Sequence, residues 1–191
     1  MKSSILKSFA FSIIAVVFSA CSSPSQNNQA QSQSAPPSQL AKSSPIAVYF
    51  SPNRGTTDAI VARIATAQNT ILVLAYSFTS ELIATALVAA HNRGVNVQVI
   101  VDKSQPRAAG GRMHDLVAAG VPVFVDSRHA IQHNKVMVFD GKTVLTGSFN
   151  FSASAETKNA ENAVFIEDVN LAKKYDDEWQ IHREHSVEPS E

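Results

Sequence analysis

The chain has little cysteine, no excess of either charge and no long apolar run. Cys21 is the single cysteine among 191 residues, so a folded domain beyond it needs no internal disulfide. Lys plus Arg equal Asp plus Glu at 16 each, which excludes a strongly basic protein and makes any basic surface local. The apolar run near the N-terminus, residues 9–18, is too short to span a bilayer stably.

Residues 1–20 have the layout of a secretory signal, because two lysines precede the apolar run and a Ser-Ala pair follows it. The next residue completes Phe18-Ser19-Ala20-Cys21, which resembles a bacterial lipobox, although Phe18 stands where Leu is usual. The resemblance implies secretion across the inner membrane and lipidation of Cys21, giving a periplasmic or cell-surface lipoprotein anchored to a membrane. The alternative is an ordinarily cleaved, soluble secreted or periplasmic protein.

Residues 21–44 consist mostly of Ser, Gln, Asn, Ala and Pro. Such a segment cannot bury enough apolar surface to fold, so it is predicted to be a disordered tether. The folded catalytic domain is therefore expected to comprise residues 45–191. Its charge is uneven: residues 45–160 carry ten basic and seven acidic side chains, whereas residues 161–191 carry three and nine.

Beyond the tether, strand-like and helix-like segments alternate. The pattern predicts strands at 46–50, 70–77, 95–101, 121–125, 135–139, 143–146 and 162–166, and helices at 57–67, 80–92, 112–119 and 171–182. Thr56 or Thr57 is expected to cap the first helix, and Leu82 to lie on the buried face of the second. Asp140-Gly141 is typical of a tight hairpin. We therefore expect a single-domain α/β sandwich with a mixed β-sheet, parallel in its first half and containing a hairpin in its second.

The hairpin carries a group of residues suited to phosphate chemistry. The pattern is H-x-K, four residues, Asp, six residues, then Gly-Ser-x-Asn, and its members are His133, Lys135, Asp140, Gly147, Ser148 and Asn150. A histidine can attack phosphorus or donate a proton, while lysine and asparagine can hold phosphate oxygens without a metal. Residues two apart share a strand face, so the hairpin should bring four of these groups to one end of the sheet.

Other polar residues allow more than one interpretation. Glu161 is the candidate to hydrogen-bond His133 and raise its basicity, or else a surface carboxylate entering a strand. Ser148 and Asn150 could instead provide ordinary turn chemistry. His129 lacks the Lys and Asp partners of the motif, so we expect it to be a loop histidine. The scattered His, Asp and Glu residues show no ligand spacing, so no metal and no other cofactor is implied.

A basic loop follows the strand at 95–101. Lys103, Arg107 and Arg112 lie there among glycines and could contact a polyanionic substrate. The alternative is a solvated loop without a binding role.

The His133–Asn150 pattern resembles the signature of the phospholipase D superfamily, in particular its single-motif Nuc-type endonucleases and the related Zucchini-like proteins. The likeness covers about residues 46–179 and includes AYSFTS, VIVDKSQ, AAGVPV and TGSFNFSASAETKNAENAV. It implies a phosphodiesterase that forms a phosphohistidine intermediate, which water then hydrolyses. The family site contains two copies of the motif, and single-copy members obtain the second by forming a symmetric homodimer. H-x-K occurs once in this chain.

The resemblance also implies individual roles. His133 of one subunit would be the nucleophile and His133 of the other the general acid. Lys135 and Asn150 of both subunits would bind the phosphate, with assistance from Ser148. Glu161 stands where the family places the carboxylate that orients the histidine. Asp140 and Gly147 are expected to be structural, and no metal is implied.

Two substrate classes, nucleic acid and lipid, are compatible with the sequence. A short single-motif chain without an obviously exposed apolar segment favours an endonuclease acting on DNA or RNA. The membrane tether and neutral charge favour the alternative, a phospholipase D that hydrolyses phospholipid head groups. A non-catalytic surface lipoprotein is a third hypothesis. A degenerate motif would support it, whereas every signature residue is present here.

Overall fold

The computed structural model describes residues 46–189, so the predicted signal peptide, Cys21 and the tether lie outside the described residues. The strands are β1 Ile46–Phe50, β2 Thr70–Ala75, β3 Asn96–Asp102, β4 Val123–Asp126, β5 Lys135–Phe139, β6 Thr143–Gly147 and β7 Asn162–Glu167. The helices are α1 Thr56–Thr66, α2 Glu81–Asn92, α3 Met113–Ala118, α4 Ala153–Thr157 and α5 Val169–His185, with a 3₁₀ turn at Gln105–Arg107.

The seven strands form one mixed sheet in the order β1-β7-β6-β5-β2-β3-β4. β2, β3 and β4 are parallel neighbours, and β5 and β6 form the predicted hairpin. The mixed α/β fold is therefore confirmed. β1 is the exception to a parallel first half, since it pairs antiparallel with β7, with Ile46 opposite Ile166.

The sheet is covered on both faces. Along β2, Ile71 and Val73 face a core formed with α1, α2 and α3, while Leu72 and Leu74 face a smaller core that includes Trp179 of α5. This alternation explains why β2 reads as a continuous apolar run. The Trp179 indole donates a hydrogen bond from Nε1 to the Val73 carbonyl oxygen at 3.1 Å, which fixes α5 against the middle of the sheet.

Two local predictions were wrong. Gly55, with φ of 79°, caps α1 in place of a threonine, and its N–H and that of Thr57 donate to the Glu156 carboxylate at 3.3 and 2.7 Å. The Thr56 hydroxyl does not cap the helix, because it donates to the Phe50 carbonyl instead. Leu82 is 61% exposed, since it falls outside the buried row formed by Ile83, Leu87 and Ala90.

Helices also differ in extent from the sequence prediction. α4 was not predicted, and α5 runs to His185 rather than ending at His182. Within residues 46–189, no helix combines the length and the apolar character that a membrane span requires.

Candidate active site

The β5–β6 hairpin places the motif at one end of the sheet. Lys135 opens β5 opposite Ala75 of β2, and Gly147 closes β6 opposite Ala163 of β7. The chain on either side of the hairpin completes an open pocket. The residues that line this pocket are His133, Lys135, Gly147, Ser148, Asn150 and Glu161. The structure thus brings all five predicted catalytic side chains together.

Lys135 is the buried cation of the pocket. Lys135 itself is only 7% exposed, and its Nζ donates to the His133 carbonyl oxygen at 2.5 Å. Burial lowers the pKa of Lys135 from its ordinary value, and the Glu161 charge opposes that shift only in part. A desolvated ammonium of this kind is stabilised by an incoming anion.

His133 is exposed beside Lys135, and its imidazole rests on an aromatic ring. The centroids of the His133 and Tyr76 rings are 4.6 Å apart, and Lys135 Nζ lies 5.1 Å from the Tyr76 centroid. The Tyr76 N–H donates to the Asn134 carbonyl at 3.0 Å, which holds the backbone beside His133. Sequence reasoning missed Tyr76 as a site residue. Its position directly after the buried strand β2, beside the strand that carries Lys135, was the available signal.

Gly147 allows β7 to approach the end of β6. Its φ is +149°, and a Cβ there would lie 2.3 Å from the Asn162 carbonyl oxygen. That oxygen accepts from the N–H groups of Ser148 and Phe149, each at 3.1 Å. The Asn162 N–H in turn donates to Ser148 Oγ at 3.1 Å, which leaves the exposed Ser148 hydroxyl hydrogen free to donate elsewhere.

Asn150 and Glu161 also line the pocket. Asn150 Oδ1 is buried and has no hydrogen-bond partner among the described residues. The Asn150 Nδ2 amino group makes no side-chain hydrogen bond there either, so it can donate to a ligand. Glu161 Oε1 accepts from Asn159 Nδ2 at 3.3 Å. No hydrogen bond joins Glu161 to His133 within the described part of the chain, so orientation of the imidazole by this carboxylate stays a prediction.

Asp140 lies at the other end of the hairpin, away from the pocket lining. Its carboxylate accepts from the N–H groups of Gln68, Asn69 and Thr70 at 2.7 to 3.2 Å. Burial by itself would raise the pKa of Asp140, but these hydrogen bonds and the Lys142 charge outweigh it and lower the pKa. The motif aspartate therefore ties the hairpin turn to the α1–β2 connection.

The three basic-loop residues have different surroundings. Arg112 forms salt bridges with Glu81 at 3.0 Å and Asp115 at 3.1 Å, so much of its charge is neutralised within the protein. Lys103 Nζ donates to the His129 carbonyl at 3.0 Å, and Arg107 is exposed. Of the three, Arg107 has the surroundings most compatible with contact to a polyanion.

His129 is not an isolated loop histidine. Its Nδ1 lies 2.8 Å from Oδ2 of Asp126, and His182 and His185 from the end of α5 reach the same oxygen. Asp126-x-x-His129 and His182-x-x-His185 share one spacing, which was the sequence signal for this cluster.

A histidine, a buried lysine and an asparagine around one pocket are the groups that a phosphodiesterase needs. Residues 60–182 match the family model described as the PLD-like domain of cardiolipin synthase. This match covers more than half of the chain, which therefore belongs to the phospholipase D superfamily of hydrolases.

Relatives and solved structures agree with this family. The chain is 41% identical over 142 residues to a protein named phospholipase D from Rickettsia bellii, which covers 74% of this chain and 70% of that protein. It is 34% identical to a mitochondrial cardiolipin hydrolase from Xenopus laevis, covering 63% of this chain and 58% of that one.

Among solved structures, Nuc, a phospholipase D family member from Salmonella typhimurium, superposes with a TM-score of 0.73 at 37% identity. The match covers 76% of this chain and 98% of Nuc. NucT from Helicobacter pylori has a TM-score of 0.69 at 24% identity, with 75% and 98% coverage, and shows the shared fold.

Proposed function

We propose that this chain is a metal-independent endonuclease that cleaves DNA or RNA through a phosphohistidine intermediate. The observation that carries the proposal is the pocket in which the exposed His133 imidazole lies next to the buried Lys135 ammonium and the uncommitted Asn150 amide. These groups supply a nucleophile, a positive charge and a hydrogen-bond donor for a pentavalent phosphorus. A lysine among the lining residues also disfavours a cation in the same place.

In the proposed reaction, one imidazole nitrogen of His133 attacks phosphorus, and the bond to the leaving oxygen breaks. A second imidazole donates a proton to that oxygen, so the product leaves as an alcohol. The same imidazole then removes a proton from water as the water oxygen attacks phosphorus and the P–N bond breaks. His133 is regenerated and a phosphate monoester is released. Lys135 and Asn150 hold the equatorial oxygens through both steps.

The second imidazole is the reason for proposing a homodimer. The pocket is lined by one histidine, His133, whereas the reaction needs both a nucleophile and an acid. A two-fold axis beside the pocket would supply the partner's His133, Lys135 and Asn150, since the surface of an isologous dimer meets its own copy.

Nucleic acid is the favoured substrate because the chain covers almost all of Nuc and has one motif. A phospholipase D acting on phospholipid head groups is the second candidate. It is supported by the names of the Rickettsia bellii and Xenopus laevis relatives, phospholipase D and mitochondrial cardiolipin hydrolase. The phosphodiester chemistry is the same in both cases.

The substrate test uses the purified full-length chain and a His133→Ala control. Each is incubated without added metal, and with EDTA added at the start of the assay, with single-stranded DNA, duplex DNA, RNA and phospholipid vesicles. Cleavage of nucleic acid that vanishes in the control is expected. Release of head groups with nucleic acid intact would make the chain a phospholipase D. A rate that rises several-fold on adding Mg²⁺ or Ca²⁺ would contradict metal-independence.

The dimer test mixes wild-type chain with increasing amounts of His133→Ala chain under conditions of subunit exchange. If each site needs both histidines, activity per wild-type chain should fall in proportion to the wild-type fraction. A monomeric enzyme would keep a constant activity per wild-type chain.

The proposed location rests on the residues before the described domain. Lipidation of Cys21 would anchor the enzyme to a membrane after secretion across the inner membrane. A Cys21→Ser chain is then expected to move from the membrane fraction to the soluble periplasmic fraction. Retention of the variant in membranes would contradict the anchor.

A further inference from the structure

A second cluster of chemically competent side chains lies at the edge of the sheet, apart from the catalytic residues. It consists of Asp126, where β4 ends, His129 in the following loop, and His182 and His185 in the last turn of α5. Each residue offers one ligand atom, and these four atoms lie within 4.8 Å of one another. The cluster thus joins two elements that are more than 50 residues apart in the chain.

The three imidazoles gather about one oxygen atom of Asp126. Oδ2 of Asp126 is 2.8 Å from His129 Nδ1, 2.8 Å from His182 Nδ1 and 3.3 Å from His185 Nε2. The bond lengths of a tetrahedral zinc site, about 2.0–2.1 Å, place neighbouring ligand atoms about 3.4 Å apart. The observed separations from Oδ2 approach that value, so a small outward movement of the side chains would admit an ion.

Hydrogen bonds among the described residues do not satisfy every polar atom of the cluster. His185 Nε2 is buried and, within residues 46–189, makes no hydrogen bond of good geometry, although it lies 3.3 Å from Asp126 Oδ2, which already contacts two other imidazoles at 2.8 Å. A buried nitrogen in this position costs free energy unless another group satisfies it. A metal ion would satisfy His185 Nε2 and the other three ligand atoms together.

The surroundings of the cluster also suit a metal site. Oδ1 of Asp126 accepts from the N–H groups of Arg128 and His129 at 3.0 and 3.4 Å, which leaves Oδ2 turned toward the imidazoles. His182 Nε2 lies 3.4 Å from the Glu178 carboxylate, so its second ring nitrogen has the type of partner that metal-bound histidines usually have. The side chain of Asp126 is fully buried, and that of His182 is 7% exposed.

The backbone around the cluster is held independently. Val187, just past α5, exchanges hydrogen bonds with Val125 of β4 at 2.7 and 3.1 Å. The Arg183 guanidinium lies 3.5 Å from the centroid of the Phe124 ring. The end of α5 and the end of β4 are therefore fixed next to each other before any ion binds, as a specific metal site requires.

We propose that Asp126, His129, His182 and His185 bind one zinc-type divalent transition-metal ion in a structural site. Three imidazoles and one carboxylate match zinc, which is usually four-coordinate and tetrahedral in structural sites. Four protein ligands fill the coordination sphere and leave no open position for a substrate. Hard ions such as Mg²⁺ and Ca²⁺ prefer oxygen ligands and would bind poorly here.

The ion would fasten α5 to the loop that delivers the catalytic histidine. That loop, residues 127–134, contains His129 near its start and His133 near its end. It is held directly before His133 by the Gln132 N–H, which donates to Asp102 Oδ2 at 2.8 Å. The metal is thus a positioning element for the proposed active site, not a participant in its chemistry.

The first test measures metal without using activity. The full-length protein is purified without chelators, and its zinc content is determined by inductively coupled plasma mass spectrometry. We expect about one zinc per chain. After removal of the metal, titration with Co²⁺ should give the visible absorption of a tetrahedral N/O site with one equivalent. Absence of both bound zinc and a stoichiometric Co²⁺ signal would overturn the proposal and leave a metal-free histidine cluster.

Variants identify the ligands. Loss of a supporting partner of a metal ligand typically weakens affinity by 10–100-fold, so loss of a ligand in His185→Gln should weaken zinc binding by at least about 100-fold. His114→Gln is the matched control, because that histidine is exposed and its one side-chain hydrogen bond among the described residues is to the Pro106 carbonyl. If His185→Gln does not fold, His129→Gln tests the same ion, since His129 is 45% exposed and less engaged in packing.

The outcome is independent of the proposed nuclease activity. Equal zinc affinity in His129→Gln, His185→Gln and His114→Gln would refute the ligand set whatever the substrate proves to be. Conversely, a zinc-loaded protein that cleaves neither nucleic acid nor lipid would refute the proposed function and leave the metal site intact.

Discussion

Asp140 is the motif residue for which an experiment can best distinguish a structural role from a catalytic role. Its carboxylate accepts from three backbone N–H groups of the α1–β2 connection and does not line the pocket. Hydrogen bonds to a charged group contribute about 1.5–3 kcal/mol each, but this connection is partly exposed and water can replace part of each bond. Counting about 1 kcal/mol per bond, Asp140→Ala should lower the free energy of unfolding by about 3 kcal/mol. For a domain of this size, the melting temperature should fall by about 6–12 °C.

The lowered pKa of Asp140 determines how the stabilisation by its carboxylate changes with pH. The pKa of Asp140 is lower in the folded protein than its ordinary value of 3.8. The stabilisation is therefore complete above the unfolded pKa and is lost as the pH falls toward the folded pKa. The difference in unfolding free energy between wild type and Asp140→Ala should stay constant from about pH 5 to 7 and shrink below about pH 4.

Urea unfolding followed by circular dichroism measures the stability, and the cleavage rate per folded molecule measures catalysis. Asp177→Ala is the control, because that carboxylate is exposed and, within residues 46–189, pairs only with the exposed Lys173, so its loss should cost less than about 1 kcal/mol. Asp140→Ala should retain most of the wild-type rate once folded. A loss of 100-fold or more in rate with unchanged stability would show that Asp140 acts in catalysis and would refute this reasoning.

Three further predictions concern the hairpin and the core. Gly147→Ala should destabilise the protein by about 2–4 kcal/mol in urea unfolding, because its Cβ would clash with the Asn162 carbonyl, whereas Gly141→Ala meets open space and should cost only about 1–2 kcal/mol of left-handed strain. Equal losses would argue against the clash. Lys135→Met should lower the cleavage rate about 10²–10³-fold without destabilising the fold, since it removes a desolvated cation; a rate within tenfold of wild type would remove Lys135 from the proposed site. Trp179→Phe should cost about 1–3 kcal/mol, because it leaves a buried backbone carbonyl without its partner; no change in melting temperature would show that water replaces the indole.

The sequence predicted what depends on local pattern. The β5–β6 hairpin, the buried strand β2 and the clustering of His133 with Lys135 follow from alternation and from the Asp140-Gly141 turn. These features involve residues close together in the chain, so their geometry is set by strand pleat and turn chemistry.

What the sequence did not predict depends on contacts between distant segments. The pairing of β1 with β7 and the capping of α1 by Glu156 join parts of the chain about 100 residues apart. No local preference encodes such partners. The same holds for the metal cluster, because its two short spacings become meaningful only when α5 packs beside β4.

The proposed metal site and the active site share the chain segment between Asp126 and Lys135, so a chelator can reduce activity although no metal takes part in the reaction. The two causes differ in time course and in pH dependence. Loss of a structural ion should lower activity gradually after the zinc has left, in step with a falling melting temperature, while the pH profile of the remaining activity stays unchanged. Loss of a catalytic ion would abolish activity as soon as the ion leaves, with the fold intact. We expect the slow course in wild type and little further chelator sensitivity in His185→Gln. Immediate inactivation at constant melting temperature would contradict metal-independent catalysis at His133.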